Sequence, residues 1–321
     1  MRSGRRAVLG LLAAAGPARH ALAQAWPARP VRVTVNFPAG SGVDILTRLI
    51  TAKLATRFGA AFVVENRGGA AGNIGASAVA RATPDGYTLL ATPSAIATNQ
   101  TLYRHLPYSI DELTPIALLG FLPFMLVVNP ALGVATPQQL VALGRGKPGG
   151  LTFASTGNGS TPHVLGEEFR ARAGIELRHV PYQASGPALN DLIAGRIDMM
   201  FANPLSVLAQ VQAGSLVALA IATPARSPAL PELPTMGESG FPGFETGSWY
   251  ALFAPRGTPA EIVMRLNAAV AEALQAPDIR QQLAAQAAEP RSGSPAEVAA
   301  FVRAEVEKLG RIVEASGLRA D

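Results

Sequence analysis

Residues 151–169, LTFASTGNGSTPHVLGEEF, gather the groups that could hold an anion. Leu151, Thr152 and Phe153 read as a short strand, Ser155, Thr156, Gly157, Asn158, Gly159, Ser160 and Thr161 follow as a hydroxyl-rich loop, and Pro162 opens an apolar-periodic run. Thr161 is the expected N-cap and Pro162 the first helical residue, where its missing N–H costs nothing. Two glycines let the main chain approach a guest closely, the hydroxyls supply donors, and the free N–H groups of a helix start carry partial positive charge. Such a loop suits a carboxylate or another small anion; it also fits a plain solvated turn. Its Gly-x-Gly-x-x-Pro spacing is not the dinucleotide fingerprint, because the third glycine is absent and no acidic ribose partner stands about 20 residues on.

The same construction recurs elsewhere. Residues 31–35, Val-Arg-Val-Thr-Val, alternate as a strand and run into Phe37, Pro38, Ala39, Gly40 and Ser41; beyond Asp44, Leu46, Ile50, Leu54 and Phe58 mark a helix. Phe62, Val63 and Val64 form a second strand before a glycine-rich segment over residues 65–75, which lacks the Lys-Ser/Thr pair of a P-loop. A third strand over residues 88–92 ends at Pro93 and Ser94. Further on, His179, Val180, Pro181 and Tyr182 lead into Gln183, Ala184, Ser185, Gly186 and Pro187, with Ser185 the expected cap and Pro187 the helix start. Asn203 precedes Pro204 at the end of a strand expected over residues 196–201. Strand ends in a parallel sheet share one edge, where open α/β sheets place ligands, which makes Ser94 and Asn203 candidates for ligand contact.

Catalytic constellations are sparse. There is no Gly-x-Ser-x-Gly, and His105, His163 and His179 stand without metal spacing or a Glu/Cys partner, so neither a metal nor a cofactor is expected. His163 with Ser155 and Ser160 could imitate a Ser–His pair, which makes a periplasmic serine hydrolase using Ser160 the rival reading. At the first turn of a helix the same histidine is readily a satisfied structural group. Asp191 and Asp198 read as structural acids.

The elements that would position these loops belong to an exported α/β protein. Arg2, Arg5 and Arg6 precede an apolar run over residues 7–15 that is too short to span a bilayer. Small-residue cleavage sites follow at residues 21–25, so residues 1–25 read as a signal peptide for Sec or twin-arginine export to the periplasm. The chain has no cysteine, which excludes a lipid anchor and disulfides. Losing Arg2, Arg5, Arg6 and Arg19 with the leader leaves 23 basic residues against 22 acidic ones, with no cluster to serve as a nucleic-acid footprint. High aliphatic content with 32 glycines and 26 prolines implies short elements of an α/β fold. The nearly apolar residues 116–128, broken by Gly120 and Pro123, mark the first passage between two lobes. The expected division is residues 26–122 and 223–321 for the first lobe and 123–222 for the second, in a monomer.

Several motifs in order resemble the Bug family, the extracytoplasmic solute receptors of tripartite tricarboxylate transporters. They include Phe37-Pro38-Ala39-Gly40 with Asp44, Glu65-Asn66-Arg67 through Gly72-Asn73-Ile74-Gly75, Pro84-Asp85-Gly86-Tyr87, Ser160-Thr161-Pro162-His163, Val180-Pro181-Tyr182 and Ala254-Pro255-Arg256-Gly257-Thr258-Pro259. The resemblance covers essentially the whole mature chain. It implies a type II-like periplasmic-binding-protein fold, two α/β lobes hinged by crossing strands and closing on a small carboxylate: a di- or tricarboxylate, an amino acid or an aromatic acid. A membrane permease is the implied recipient, and a receptor serving a sensor is the alternative. The implied ligand positions are Phe37, Ala39, Gly40 and Ser41 in the first lobe, and Ser155, Thr156, Asn158, Gly159, Ser160, Thr161 and His163 with Tyr182, Ala184 and Ser185 in the second. Three residues depart from the family pattern: Ser41 replaces a common glycine, Gln100 a proline after Asn99, and Ala202 a frequent aspartate. The last departure bears on ligand identity more than on fold.

Overall fold

A computed structural model describes residues 26–284 and 288–319; the expected signal peptide lies outside the described residues. The first half of the chain runs β1 (Val31–Val35), α1 (Gly42–Phe58), β2 (Phe62–Asn66), α2 (Asn73–Ala80), β3 (Thr88–Pro93), α3 (Ala95–Leu102), β4 (Leu113–Leu122), β5 (Met125–Val128), α4 (Pro137–Gly146) and β6 (Leu151–Ser155). The second half runs α5 (Thr161–Ala173), β7 (Leu177–Pro181), α6 (Ser185–Ile193), β8 (Met199–Ala202), α7 (Pro204–Gln212), β9 (Val217–Ile221), β10 (Ser248–Pro255), α8 (Ala260–Gln275), α9 (Pro277–Ala284) and α10 (Pro295–Ser316).

Two mixed sheets result, ordered β2-β1-β3-β10-β4 and β7-β6-β8-β5-β9. In the first, β1 pairs in parallel with β2 and β3, while β10 runs antiparallel between β3 and β4. In the second, β6 is parallel to β7 and β8, and β5 is antiparallel to β8 and β9. Parallel strands are covered by helices on both faces, and Val31, Val33 and Val35 are accordingly buried. Parallel pairing also brings the ends of β1 and β3 to one edge of the first lobe, and those of β6, β7 and β8 to one edge of the second.

Between β4 and β5 only Pro123 and Phe124 intervene as the chain crosses from one sheet to the other. On the way back, Met236, Phe241 and Phe244 bury themselves in the second lobe's core, and Ile221 bridges to Thr235. On that packing we place the return at Ser248, where β10 begins, rather than at residue 223. The strand expected from residue 196 starts only at Met199: the N–H groups of Arg196 and Ile197 turn back onto the Asp191 carbonyl after a left-handed Gly195. Asp198 is then pinned by Lys147 and by the N–H and hydroxyl of Thr152, a structural role as expected. The last helix, α10, packs on α3 and β4 of the first lobe and also on α5 of the second, so it spans the seam between the lobes.

Candidate functional site

On the first lobe, the segment from Phe37 to Ser41 is shaped by a buried carboxylate. Asp44, 2% exposed, accepts from the Gly40 N–H at 2.9 Å, from Arg48 Nε at 3.0 Å and from Asn66 Nδ2 at 2.9 Å. Burial alone pushes its carboxyl up, but Arg48, the Gly40 N–H and Asn66 together outweigh this and hold it below the usual range. Gly40 takes a positive φ of 79°, which lets the loop fold back on α1. Asn66 Nδ2 also donates to the Phe37 carbonyl. Phe37 is half-buried, Ala39 and Gly40 are exposed, and Ser41 stands at the N-cap of α1. Beside that helix start lies the Tyr250 hydroxyl, so close that a Cβ at Gly42 would meet it. Burial, tempered by Ser248, raises the Tyr250 phenol to about 12, which keeps it a neutral donor.

The loop after β6 is built against a stack of rings. His163 and His179 lie face to face with centroids 3.8 Å apart, and Phe153 lies beside the pair, 4.9 Å from His179 and 6.2 Å from His163. His163 Nδ1 accepts the Gly159 N–H at 3.0 Å, and His179 Nε2 lies 2.6 Å from Ser155 Oγ. Ser155, fully buried, also exchanges hydrogen bonds with the Gly157 carbonyl and N–H, while Ser160 Oγ donates to the same Gly157 carbonyl at 2.7 Å. Both histidines are lowered to about 4, each by burial and His163 further by its neighbour, so at neutral pH they serve as uncharged supports. His163 thus supports the loop through its Nδ1 and its stacked ring. Thr156 is half-buried and Asn158 exposed at the tip.

The two lobes meet here. Ser94 at the start of α3 and Thr161 at the start of α5, both buried, bring their hydroxyl oxygens to 3.0 Å across the seam. Gly159 lies against Leu102 and faces Asn99, both of α3. Helix α5 begins one residue earlier than the sequence suggests, at Thr161, because the Ser160 N–H and hydroxyl both turn onto Gly157 and leave Ser160 as the extended N-cap. Helix α6 likewise begins at Ser185 with Ala184 as N-cap, not at Pro187.

Three helix starts, two of them at this seam, share a property. Serine is among the best N-caps. Yet Ser41, Ser94 and Ser160 make no side-chain bond to the first turns of α1, α3 and α5, whereas Thr136 and Ser294 do cap α4 and α10. Ser94 is turned to Thr161 and Ser160 to Gly157, while the buried Ser41 Oγ has no partner among the described residues. Main-chain N–H groups at the starts of helices from both lobes are thus left for something other than their own caps.

Other expected positions stand apart. The Tyr182 hydroxyl donates to Asp191 at 2.7 Å, and Asp191 pairs with Arg196, so this ring is tied within its own lobe. Ala184 and Ser185 are exposed. The Asn203 amide donates to the Pro123 carbonyl at 3.0 Å, fastening β8 to the crossing segment rather than offering that amide to a guest. Sequence reasoning missed His179 as the partner of Ser155, Asp44 as the anchor of the first loop, and the buried amides of Asn36 and Asn99. Each acts through a partner distant in the chain, and only the Gly40–Asp44 spacing carried a local signal. Among the described residues no group of three His, Asp or Glu could hold a metal ion.

Comparison with known proteins places this geometry in context. Residues 46–318 match the tripartite tricarboxylate transporter family receptor. The chain is 37% identical to protein BugT of Bordetella pertussis over 317 residues, spanning 98% of this chain and 97% of the relative. A solved structure of R. palustris Rpa4515 with adipate is similar at a TM-score of 0.84 and 38% identity, covering 92% of this chain and 99% of that one. The structure of MatC from Rhodopseudomonas palustris with bound malate follows at a TM-score of 0.79 and 33% identity, covering 90% and 100%.

Proposed function

This chain belongs to the tripartite tricarboxylate transporter receptors, and from that premise we propose that it is a periplasmic binding protein whose two lobes close on a small carboxylate for delivery to a membrane permease. The observation that carries the reading is the set of serines, Ser41 and Ser94 on the first lobe and Ser160 on the second, that stand at helix starts without capping them, Ser94 beside the contact between the lobes. Each helix start contributes about 0.3–1 kcal/mol to a carboxylate, more when partly buried. Two or three of them with charge-assisted hydrogen bonds support a complex near −8 kcal/mol, a Kd of about 1 μM. The segment from Phe37 to Ser41 and residues 155–161 are the proposed walls. Relatives that hold adipate and malate support a carboxylate cargo. A ligand touching both walls stabilises the closed arrangement by its differential affinity for it.

A panel of di- and tricarboxylates, aromatic acids, amino acids and neutral analogues tests this by thermal or denaturant unfolding. A true ligand at about a hundred times its Kd should add about 2.7 kcal/mol to the unfolding free energy. A response confined to neutral compounds would sink the reading.

We read the protein as non-catalytic. The closest approach to a nucleophile–base pair is Ser155 with His179, but that serine is fully buried and held by the Gly157 main chain, out of reach of an ester carbonyl. Chromogenic esters should show no turnover that Ser155→Ala or Ser160→Ala abolishes. Removal of residues 1–25 on export is expected to appear in the mass of the periplasmic form.

A further inference from the structure

Two buried amides on the first lobe's wall present oxygens that nothing satisfies among the described residues. Asn36, at the end of β1, is 2% exposed and Asn99, in α3, is 1% exposed; neither Oδ1 has a hydrogen-bond partner. Their orientation is fixed by their nitrogens. Asn36 Nδ2 donates to the Gly72 carbonyl at 3.1 Å, and Asn99 Nδ2 donates to the Ala71 carbonyl at 3.0 Å and to Asn73 Oδ1 at 2.7 Å. Turning either amide over would set oxygen against oxygen. The two amides are thus fastened to consecutive carbonyls of one loop. The loop that aligns them holds Ala70 and Ala71 at φ of 48° and 51°, a region that residues with a Cβ adopt at a cost. Asn99 Oδ1 looks across the seam, 3.9 Å from where a Cβ on Gly159 would lie.

A buried carbonyl left without a donor is costly, so these two oxygens, that of Asn99 facing the seam, call for a donor that the described residues do not supply. The carboxylate of a ligand cannot be that donor. An ammonium group is a poor fit, since both acceptors are neutral and leave its buried charge without a counter-charge. A hydroxyl donates without bringing a charge. We propose that Asn36 and Asn99 read a hydroxyl of the cargo, which makes this receptor selective for hydroxycarboxylates over matched carboxylates that lack the hydroxyl. The proposal rests on the carboxylate-receptor reading above and assigns specificity within it.

Isothermal titration of the purified protein, stripped of carried-over ligand by unfolding and refolding, decides the matter with matched pairs: malate against succinate, and citrate against tricarballylate. In each pair that binds, the hydroxylated member should be at least about tenfold tighter, the order set by one unpaired buried acceptor, with aspartate weaker than malate. Asn99→Leu should bring malate and succinate to similar affinity by weakening malate alone. Should that variant lose its cooperative unfolding transition, Asn36→Leu makes the same comparison. Equal or tighter binding of the plain members to the unaltered protein overturns the hydroxyl assignment while leaving the receptor reading intact. Failure of every carboxylate to bind overturns both.

Discussion

Acidification from pH 7 to pH 4 should remove about 3 kcal/mol of stability through His163 alone. The ring is 5% exposed, and burial with the stacked His179 lowers it from 6.5 to about 4. At about 1.4 kcal/mol per unit this displacement gives the stated magnitude. The sign follows from proton uptake: between pH 6.5 and 4 the unfolded chain binds a proton at this position and the folded chain does not, so stability falls as pH falls. Above the unfolded value the contribution is fully present, and below about pH 4 it is exhausted because the folded state titrates too. His179, lowered to a similar value by its burial, acts in the same direction. His163→Asn keeps an acceptor near Nδ1 for the Gly159 N–H and cannot titrate. Urea unfolding of both proteins at unit steps from pH 8 to 4 isolates the effect as the change in their stability difference. Carboxylates such as Glu168, which burial pushes up, act in both proteins and cancel. A stability difference that stays flat with pH would show that the ring is not held neutral by its surroundings and would refute the account of the stack.

Three further outcomes follow from other contacts. Ser94→Ala and Thr161→Ala each remove one side of the hydroxyl pair across the seam, and each should weaken ligand binding by about two- to tenfold, the value of one net hydrogen bond, with a double-mutant cycle showing that the losses are shared rather than additive. Asp44→Ala strips a buried acceptor from Gly40, Arg48 and Asn66, and should cost about 1–3 kcal/mol in denaturant unfolding while Glu272→Ala, at a solvent-exposed pair with Arg57, costs under about 1 kcal/mol. Gly159→Ala forces a Cβ at a φ of 76° into Leu102; it should destabilise by about 1–3 kcal/mol and reduce affinity, and Leu102→Ala should restore affinity while leaving the backbone strain in place.

How much of this was legible in the chain depended on how far apart the cooperating residues stand. Strand, loop and helix start succeed one another within a few residues at 31–46 and at 151–165, so period and punctuation exposed both walls. Boundaries moved by one position where a distant-looking glycine took over: Gly157 accepts from both the N–H and the hydroxyl of Ser160 and so sets the start of α5. The ring stack was not legible, because Ser155 and His179 lie on adjacent parallel strands whose register no local pattern reveals. The amides of Asn36 and Asn99 were hidden for the same reason, each bonded to carbonyls some thirty residues away. The return crossing was placed too early, because the turn-rich residues after β9 look like a linker until Met236, Phe241 and Phe244 are seen in the core.

The serines at the helix starts join these observations into one physical argument. Local rules assign Ser41, Ser94 and Ser160 to cap their own helices, and at α4 and α10 the same rules hold. Losing a cap costs about 0.5–2 kcal/mol, so these departures, together with that of Asn203 at α7, are a substantial concession by a marginally stable fold. At Ser41 and Ser160 they coincide with loops where Gly40, Gly157 and Gly159 open the main chain, the second loop braced by uncharged histidines, which supports the anion site proposed above. A cap in its place would fill the helix start with an oxygen of the protein's own and turn away the carboxylate it imitates.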